Sequence, residues 1–388
     1  MDSRFIMKGG DATVRAKSMN LGIILISLSF ILFGNVGGLN ILHAQDCRVA
    51  RIGPTMLGGG VSAPAGCTPS YGAELATESN ATDDAGGNET DAVTPFSALG
   101  SPTLDSITTA PQTGTYHLEI TASGSAEGAR RYLPALDAST VYSISFYARH
   151  TGVGTNNGEM RCSMLSGITP GLGVPIIRSI AKAETTYAKY EKYFYFNTDQ
   201  DVFLCYEINA DNDGGIYIDN FSIKTATLCY GDELNGGANA ASLTNETNAT
   251  TGFTSTGTST FESSATNPAD GSYSLHTVVN ASAGRMYIDT ATLMAGDDPV
   301  EGKKYFISWK QKYTAGAVAR CGFTASTGFN WEGEWVDLLA ADTAWTHIGF
   351  SFTYDPAIQV YWGCKENGAG DDSEFYIDSL SIKEITSE

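Results

Sequence analysis

The chain has 388 residues, of which 42% are hydrophobic and 17% charged, and it carries a net charge of −20. That length suits two domains of roughly 100–200 residues, and the apolar fraction excludes a disordered chain. The acidic balance excludes nucleic acid phosphates and anionic lipid surfaces as partners, and it suits neutral ligands and divalent cations as well as plain solubility.

Residues 1–45 read as a signal peptide. Arg4, Lys8, Arg15 and Lys17 form a positive region, and Leu21–Gly34 is an apolar run of fourteen. Leu42-His43-Ala44-Gln45 offers a cleavage site. A membrane span needs about 20 apolar residues, so a secreted or extracellular surface protein is expected, with no membrane insertion after cleavage. Residues 46–67 form a Gly/Pro-rich lead-in.

The rest of the chain is a duplication, 68–226 and 227–388. Tyr217-Ile218-Asp219-Asn220-Phe221-Ser222-Ile223-Lys224 recurs as Tyr376-Ile377-Asp378-Ser379-Leu380-Ser381-Ile382-Lys383, at an offset of 159. Cys162 and Cys205 recur at the same offset as Cys321 and Cys364. Gly114–Leu118 answers Gly271–Leu275, and Tyr142–Phe146 answers Tyr305–Trp309. Such self-similarity is the mark of repeated structural units.

Within each repeat the apolar pattern has period two. Tyr142, Ile144, Phe146 and Ala148 share one face, and Ser143, Ser145 and Tyr147 share the other. No long segment past residue 45 has helical periodicity. The expected fold is all-β, two tandem antiparallel β-sandwich domains. Seven cysteines in an exported chain imply disulfides. The equal spacing of 43 residues pairs Cys162 with Cys205 and Cys321 with Cys364, each worth about 3–4 kcal/mol on the loop-entropy model. Cys47 with Cys67 is the remaining expected pair, which leaves Cys229 free.

The features follow the order seen in a known group. An acidic residue opens each repeat (Glu74, Glu233), and a Gly-x-Tyr-x-Leu strand follows. A Tyr-x-Ile-Ser-aromatic strand comes next, then an aromatic before an alternating strand (Tyr187, Trp345), then the closing Tyr-Ile-Asp strand. In this each repeat resembles the jelly-roll carbohydrate-binding modules of families four, nine and twenty-two, within the galactose-binding-like superfamily. It departs from them at the start, where Ala73-Glu74-Leu75 and Asp232-Glu233-Leu234 replace the group's Asn-x-x-Phe-Glu kind of motif.

The resemblance implies a structural calcium at Glu74 with Asp219 and at Glu233 with Asp378, because calcium takes several oxygen ligands. The plainer alternative is that Asp219 and Asp378 accept backbone N–H bonds at a strand end. It also implies a polysaccharide or glycan as partner. A sugar needs an exposed aromatic platform beside polar groups. In the second repeat Lys310 and Lys312 lie on the face opposite Ile307 and Trp309, and Trp331, Glu332 and Trp335 fall in a Trp-rich, loop-like stretch, with Trp331 and Trp335 the preferred platform. In the first, Tyr147 and Arg149 are the candidates, with Arg131 and Tyr132 on an earlier strand. Trp309, Trp345 and Trp362 are expected in the core.

Neither a nucleophile elbow with its triad nor a His-Glu-x-x-His motif occurs, and no catalytic function is expected. The competing expectation is a structural or adhesive surface protein, a stalk, adhesin or filament subunit able to self-associate.

Overall fold

The computed structural model describes residues 67–387 apart from 78–79, 83–88, 125, 134–135, 138, 153–159, 166–173, 196–201, 208–213, 245, 280–283, 295–298, 317–318, 328–333, 339–342 and 367–371. The expected signal peptide, most of the lead-in and Cys47 lie outside the described residues.

The first repeat holds β1 (Ser70–Glu74), β2 (Ser97–Leu99), β3 (Thr103–Ile107), β4 (His117–Thr121), β5 (Gly128–Tyr132), β6 (Val141–His150), β7 (Met160–Leu165), β8 (Val174–Ile180), β9 (Ala188–Tyr195), β10 (Val202–Glu207) and β11 (Gly215–Thr227). The second holds β12 (Cys229–Glu233), β13 (Thr254–Thr256), β14 (Thr260–Ser264), β15 (Ser274–Val279), β16 (Arg285–Asp289), a one-turn α1 (Thr290–Leu293), β17 (Lys304–Gly316), β18 (Ala319–Thr324), β19 (Glu334–Leu338), β20 (Thr346–Thr353), β21 (Tyr361–Glu366) and β22 (Ser373–Ser387).

Each repeat is an antiparallel sandwich. In the first, β3-β4-β11-β6-β9 faces β2-β5-β10-β7-β8. In the second, β14-β15-β22-β17-β20 faces β13-β16-β21-β18-β19. The all-β fold of two tandem antiparallel β-sandwiches expected from the alternation, in the jelly-roll form that the resemblance implies, is the fold observed. Tyr142, Ile144, Phe146 and Ala148 of β6 are all buried, as are Tyr305, Ile307 and Trp309 of β17. Phe146, Phe203 and Phe221 pack at centroid distances of 4.8–6.2 Å between the first repeat's sheets. Trp309 and Trp362 meet at 5.6 Å in the second core, as expected of them.

The Tyr-Ile-Asp motif is not a plain strand. The register slips between Asp219 and Ser222 on β11 and between Ser308 and Lys310 on β17, opposite Asp378. Asn220 and Ser379 adopt φ of 51° and 53° there. Such a bulge re-aims the side chains beside it. It turns Asp219 towards the loop before β4, where it accepts hydrogen bonds from the Gln112 and Thr113 N–H groups at 2.7 and 3.3 Å. Asp378 does the same for Ala269 and Asp270, at 2.6 and 3.2 Å.

Cys162–Cys205 and Cys321–Cys364 are bonded as the spacing predicts, each across adjacent strands. The third bridge corrects the expectation. Cys67 bonds Cys229, with Cα atoms 5.9 Å apart, so neither is left for Cys47 and Cys229 is not free. The reason is topological: β1 and β12 lie on equivalent strands, β11 and β22, and only Leu228 separates β11 from β12. The start of the first repeat is thereby brought to the junction with the second.

The two sandwiches share a sheet. β9 pairs antiparallel with β20 through Phe194–Phe350 and Tyr195–Gly349, which makes a 12-stranded sheet. Its order runs through the same equivalent strands from either edge. Two features hold this seam. Tyr195 stacks on His347 at 4.2 Å on the outer face. Within, the buried Lys192 ammonium sits 2.6 Å from Glu334 Oε1 of β19 and donates to the Pro175 carbonyl at 2.8 Å.

Candidate functional site

The outer face of the shared sheet carries two matched rows of side chains. In β11, Tyr217 points outward between the buried Ile216 and Ile218. Its cross-strand neighbours are Arg149 on β6 and Glu119 on β4, and Asp105 on β3 lies opposite Glu119. Tyr187, one residue before β9, continues the row beside Arg149. In the second repeat Tyr376 lies between Lys312 and His276, with Glu262 beyond His276 and Trp345 just before β20. The rows therefore read Tyr187–Arg149–Tyr217–Glu119–Asp105 and Trp345–Lys312–Tyr376–His276–Glu262. Four strand spacings make each about 19 Å long.

In the first row the Arg149 guanidinium lies 4.9 Å from the Tyr187 ring centroid and 4.3 Å from that of Tyr217. A cation over an aromatic face is attracted by the ring quadrupole, and it fixes both rings. Arg149 also donates to the Ala110 carbonyl at 3.4 Å. His117 lies under the row, 4.5 Å from Tyr217, fully buried. Burial, helped by the Arg149 charge, pushes its imidazole down to about 4, so it is neutral at pH 7. Burial raises the Tyr187 and Tyr217 phenols, so both stay protonated.

In the second row His276 stacks on Tyr376 at 4.6 Å, and Trp345 meets the same ring edge-on at 6.4 Å. Tyr376 itself is 7% exposed, so Trp345 and His276 present the accessible ring surface. His276 is flanked by Glu374 at 2.9 Å and Glu262 at 3.3 Å. Lys312 donates to Asn267 Oδ1 at 3.3 Å, and Lys310 to Asp270 Oδ2 at 2.5 Å. Beside Lys310, burial lowers the His347 imidazole below its ordinary value.

The loops that wall each row are held by carboxylates. Glu89 accepts from the Thr115 and Tyr116 N–H groups at 2.7 and 2.6 Å, beside Gly114 at φ 64°. Glu246 does the same for Ser272 and Tyr273, beside Gly271. At either glycine a Cβ would fall within 2.3 Å of the carboxylate.

Four of the expected ligand residues lie on this face, in register. Arg149 and Lys312 occupy one pair of equivalent positions, and Tyr147 and Lys310, next to the bulges, occupy another. Three others do not join them. Arg131 is buried between the sheets, its guanidinium 4.5 Å from the Phe221 centroid and 5.5 Å from that of Phe96. Tyr132 is exposed, but on β5 of the opposite sheet, beside Arg130. Trp335 is 1% exposed on β19, also in an opposite sheet, with the Lys365 ammonium 5.9 Å from its ring, so it offers no platform. Trp331 and Glu332 lie outside the described residues.

Trp345 corrects the core expectation, being only partly buried at the end of the second row. Tyr187, Tyr217 and Tyr376 were not anticipated as site residues. Their signal was available, since Tyr217 and Tyr376 have opposite parity to the buried isoleucines around them.

The carboxylates proposed for calcium are engaged otherwise. Glu74 Oε1 accepts from the Ile223, Ala76 and Leu75 N–H groups at 2.7, 3.0 and 3.2 Å, and Oε2 accepts from the Ser222 hydroxyl at 2.6 Å. Glu233 repeats this with Ile382, Asn235 and Ser381. N–H donors aimed at these oxygens satisfy an anion and oppose a cation, so the residues do not fit a calcium ion. Among the described residues no group of three His, Cys, Asp or Glu side chains could hold a metal. No described helix is long and apolar enough to cross a membrane.

No family model and no curated protein matches the chain. Solved structures do. The N-terminal CBM22-1–CBM22-2 tandem domain of Xyn10C from Paenibacillus barcinonensis aligns at 14% identity over 81% of this chain and 98% of that one, with a TM-score of 0.32. The C-terminal family 22 carbohydrate-binding module of Clostridium thermocellum Xyn10B aligns at 17% identity over 40% of this chain and 96% of that one, with a TM-score of 0.28. The ANXUR2 extracellular domain of Arabidopsis thaliana aligns at 9% identity over 74% and 89%, with a TM-score of 0.25.

Proposed function

We propose that the protein is a secreted, non-catalytic glycan-binding protein whose two rows each hold one stretch of polysaccharide. The observation that carries this reading is the chemical match between the rows. Each sets an aromatic, a cation, a tyrosine, a polar side chain and a carboxylate across five strands. Aromatic faces suit the apolar C–H faces of sugar rings, and the cation and carboxylate suit hydroxyls. A net charge of −20, with the histidine beneath the first row neutral, favours an uncharged glycan over a polyanion. Three disulfides among the described residues favour an oxidising, extracellular setting.

The test is electrophoresis in native gels cast with soluble polysaccharides. The wild-type chain should be retarded. Tyr187→Ala with Tyr217→Ala should abolish binding by the first row, and Trp345→Ala should weaken the second by about 10–100-fold, the scale of a buried aromatic anchor. A quadruple change that adds Tyr376→Ala and leaves retardation untouched would place binding elsewhere.

A further inference from the structure

The relation between the two rows fixes how polysaccharide chains can lie on them. Tyr195 pairs with Gly349 and Phe194 with Phe350, which sets Tyr193 opposite Ser351, and the Tyr193 N–H donates to the Ser351 hydroxyl at 2.9 Å. Tyr193 and Ser351 are also equivalent positions of the two repeats, because Phe194 and Phe352 face the equivalent Tyr142 and Tyr305. The strand order and these pairs therefore relate the two repeats by an approximate twofold near this point, with β9 and β20 paired on one side of it only. Phe194 and Phe350 are neighbours and both enter the core, so both opposite sheets lie on one side. Both rows then face the other side. Tyr187 lies six residues before Tyr193, and Trp345 six before Ser351 on the antiparallel strand. At about 3.3 Å per residue the rows are displaced by about 40 Å along the strands.

We propose that the protein bridges two separate glycan chains instead of gripping one chain twice; this rests on the glycan-binding reading above. A polysaccharide has a reducing and a non-reducing end. A twofold axis normal to the sheet sends each row's direction to its reverse. Whichever chain end points at the seam in the first row also points at the seam in the second. A chain leaving the first row at the seam would enter the second with the wrong polarity, so the second row takes another chain. The seam is held by backbone pairing, the Tyr195–His347 stack and the buried Lys192–Glu334 pair, so the rows cannot swivel to correct the mismatch.

The experiment uses the full chain and two labelled preparations of one soluble polysaccharide, first xylan and then mixed-linkage β-glucan. One preparation carries biotin and the other fluorescein. With a probe that the native gel shows to be bound, streptavidin beads should capture fluorescein only when the protein is present. Capture should rise with protein and fall again at excess, when every chain is coated singly. That reading needs no variant. Trp345→Ala, or Tyr187→Ala with Tyr217→Ala, should abolish capture while the intact row keeps its affinity within about twofold. Retardation without capture, with either change weakening binding by about tenfold or more, is the signature of one chain held at both rows, and it overturns the bridging proposal alone. If neither probe is retarded, the glycan-binding reading falls and takes this inference with it.

Discussion

His117 shows how one buried side chain ties the first row to pH. Neither ring nitrogen has a hydrogen-bond partner among the described residues, and Tyr217, Tyr187 and Arg149 surround it. Its proton leaves at about 4 in the folded state, against 6.5 ordinarily. Between those values the unfolded chain binds a proton that the folded chain rejects. Its contribution is therefore complete above pH 6.5 and is lost as pH falls towards 4, by roughly 2–3 kcal/mol. His117→Gln should flatten that part of the stability curve in urea titrations between pH 4 and 7; an unchanged slope would place the acid sensitivity elsewhere. Arg149 acts differently, by stacking between two rings. Arg149→Lys keeps the charge but loses the planar stack, and should weaken the first row by about 1 kcal/mol of binding in a calorimetric titration.

Elements and their junctions depend on fewer positions than their length suggests. At Gly349 a Cβ would come within 2.7 Å of Tyr195, 2.9 Å of Phe306 and 2.9 Å of Ser308. Gly349→Val should therefore part β9 from β20, and small-angle scattering should show a more extended molecule of unaltered strand content. The ion pair within the seam predicts a further pattern. Lys192→Met alone leaves Glu334 buried with only the Arg178 guanidinium, 3.6 Å away, and should cost about 3 kcal/mol in thermal or urea unfolding. The double change with Glu334→Leu should recover most of that loss. A double variant no more stable than the single would show that the pair does not govern the site. Near it, past Phe194–Phe350, β9 and β20 separate around a cleft of about 400 Å³ lined by Lys192, Arg178, Glu334 and Gln359.

At the scale of the whole molecule, what the sequence made legible follows from what repeats. Period-two alternation and matched cysteines fixed the sandwiches and two bridges, because both depend on local spacing. The third bridge depends on where β1 meets the repeat junction, which no spacing reveals. Replacing Cys67 and Cys229 by serine reopens a loop of 162 residues. On the loop-entropy model this should lower stability by about 4–5 kcal/mol in denaturant titrations. The rows were half legible. Arg149, Lys310 and Lys312 were found by strand parity, whereas Trp331 and Trp335 were favoured for their crowding in a short stretch, and crowding does not report exposure. Trp345 is expected in the core because the residues after it alternate, but it precedes its strand and escapes that alternation.

The palindromic strand order carries a historical consequence. An edge strand pairing with its own copy about a twofold is the contact of a symmetric dimer, so the ancestral single repeat could have met its twin through this same edge before the genes fused. In such a dimer every seam position appears twice, identically. Yet Lys192 corresponds to Phe350 in the second copy, and the end of β8 that answers Glu334 bears Val174 and Pro175. A one-sided charge pair of this kind can arise only once the two copies mutate independently. Duplication thus came before the ion pair, and divergence turned a partnership between equals into one with a fixed left and right.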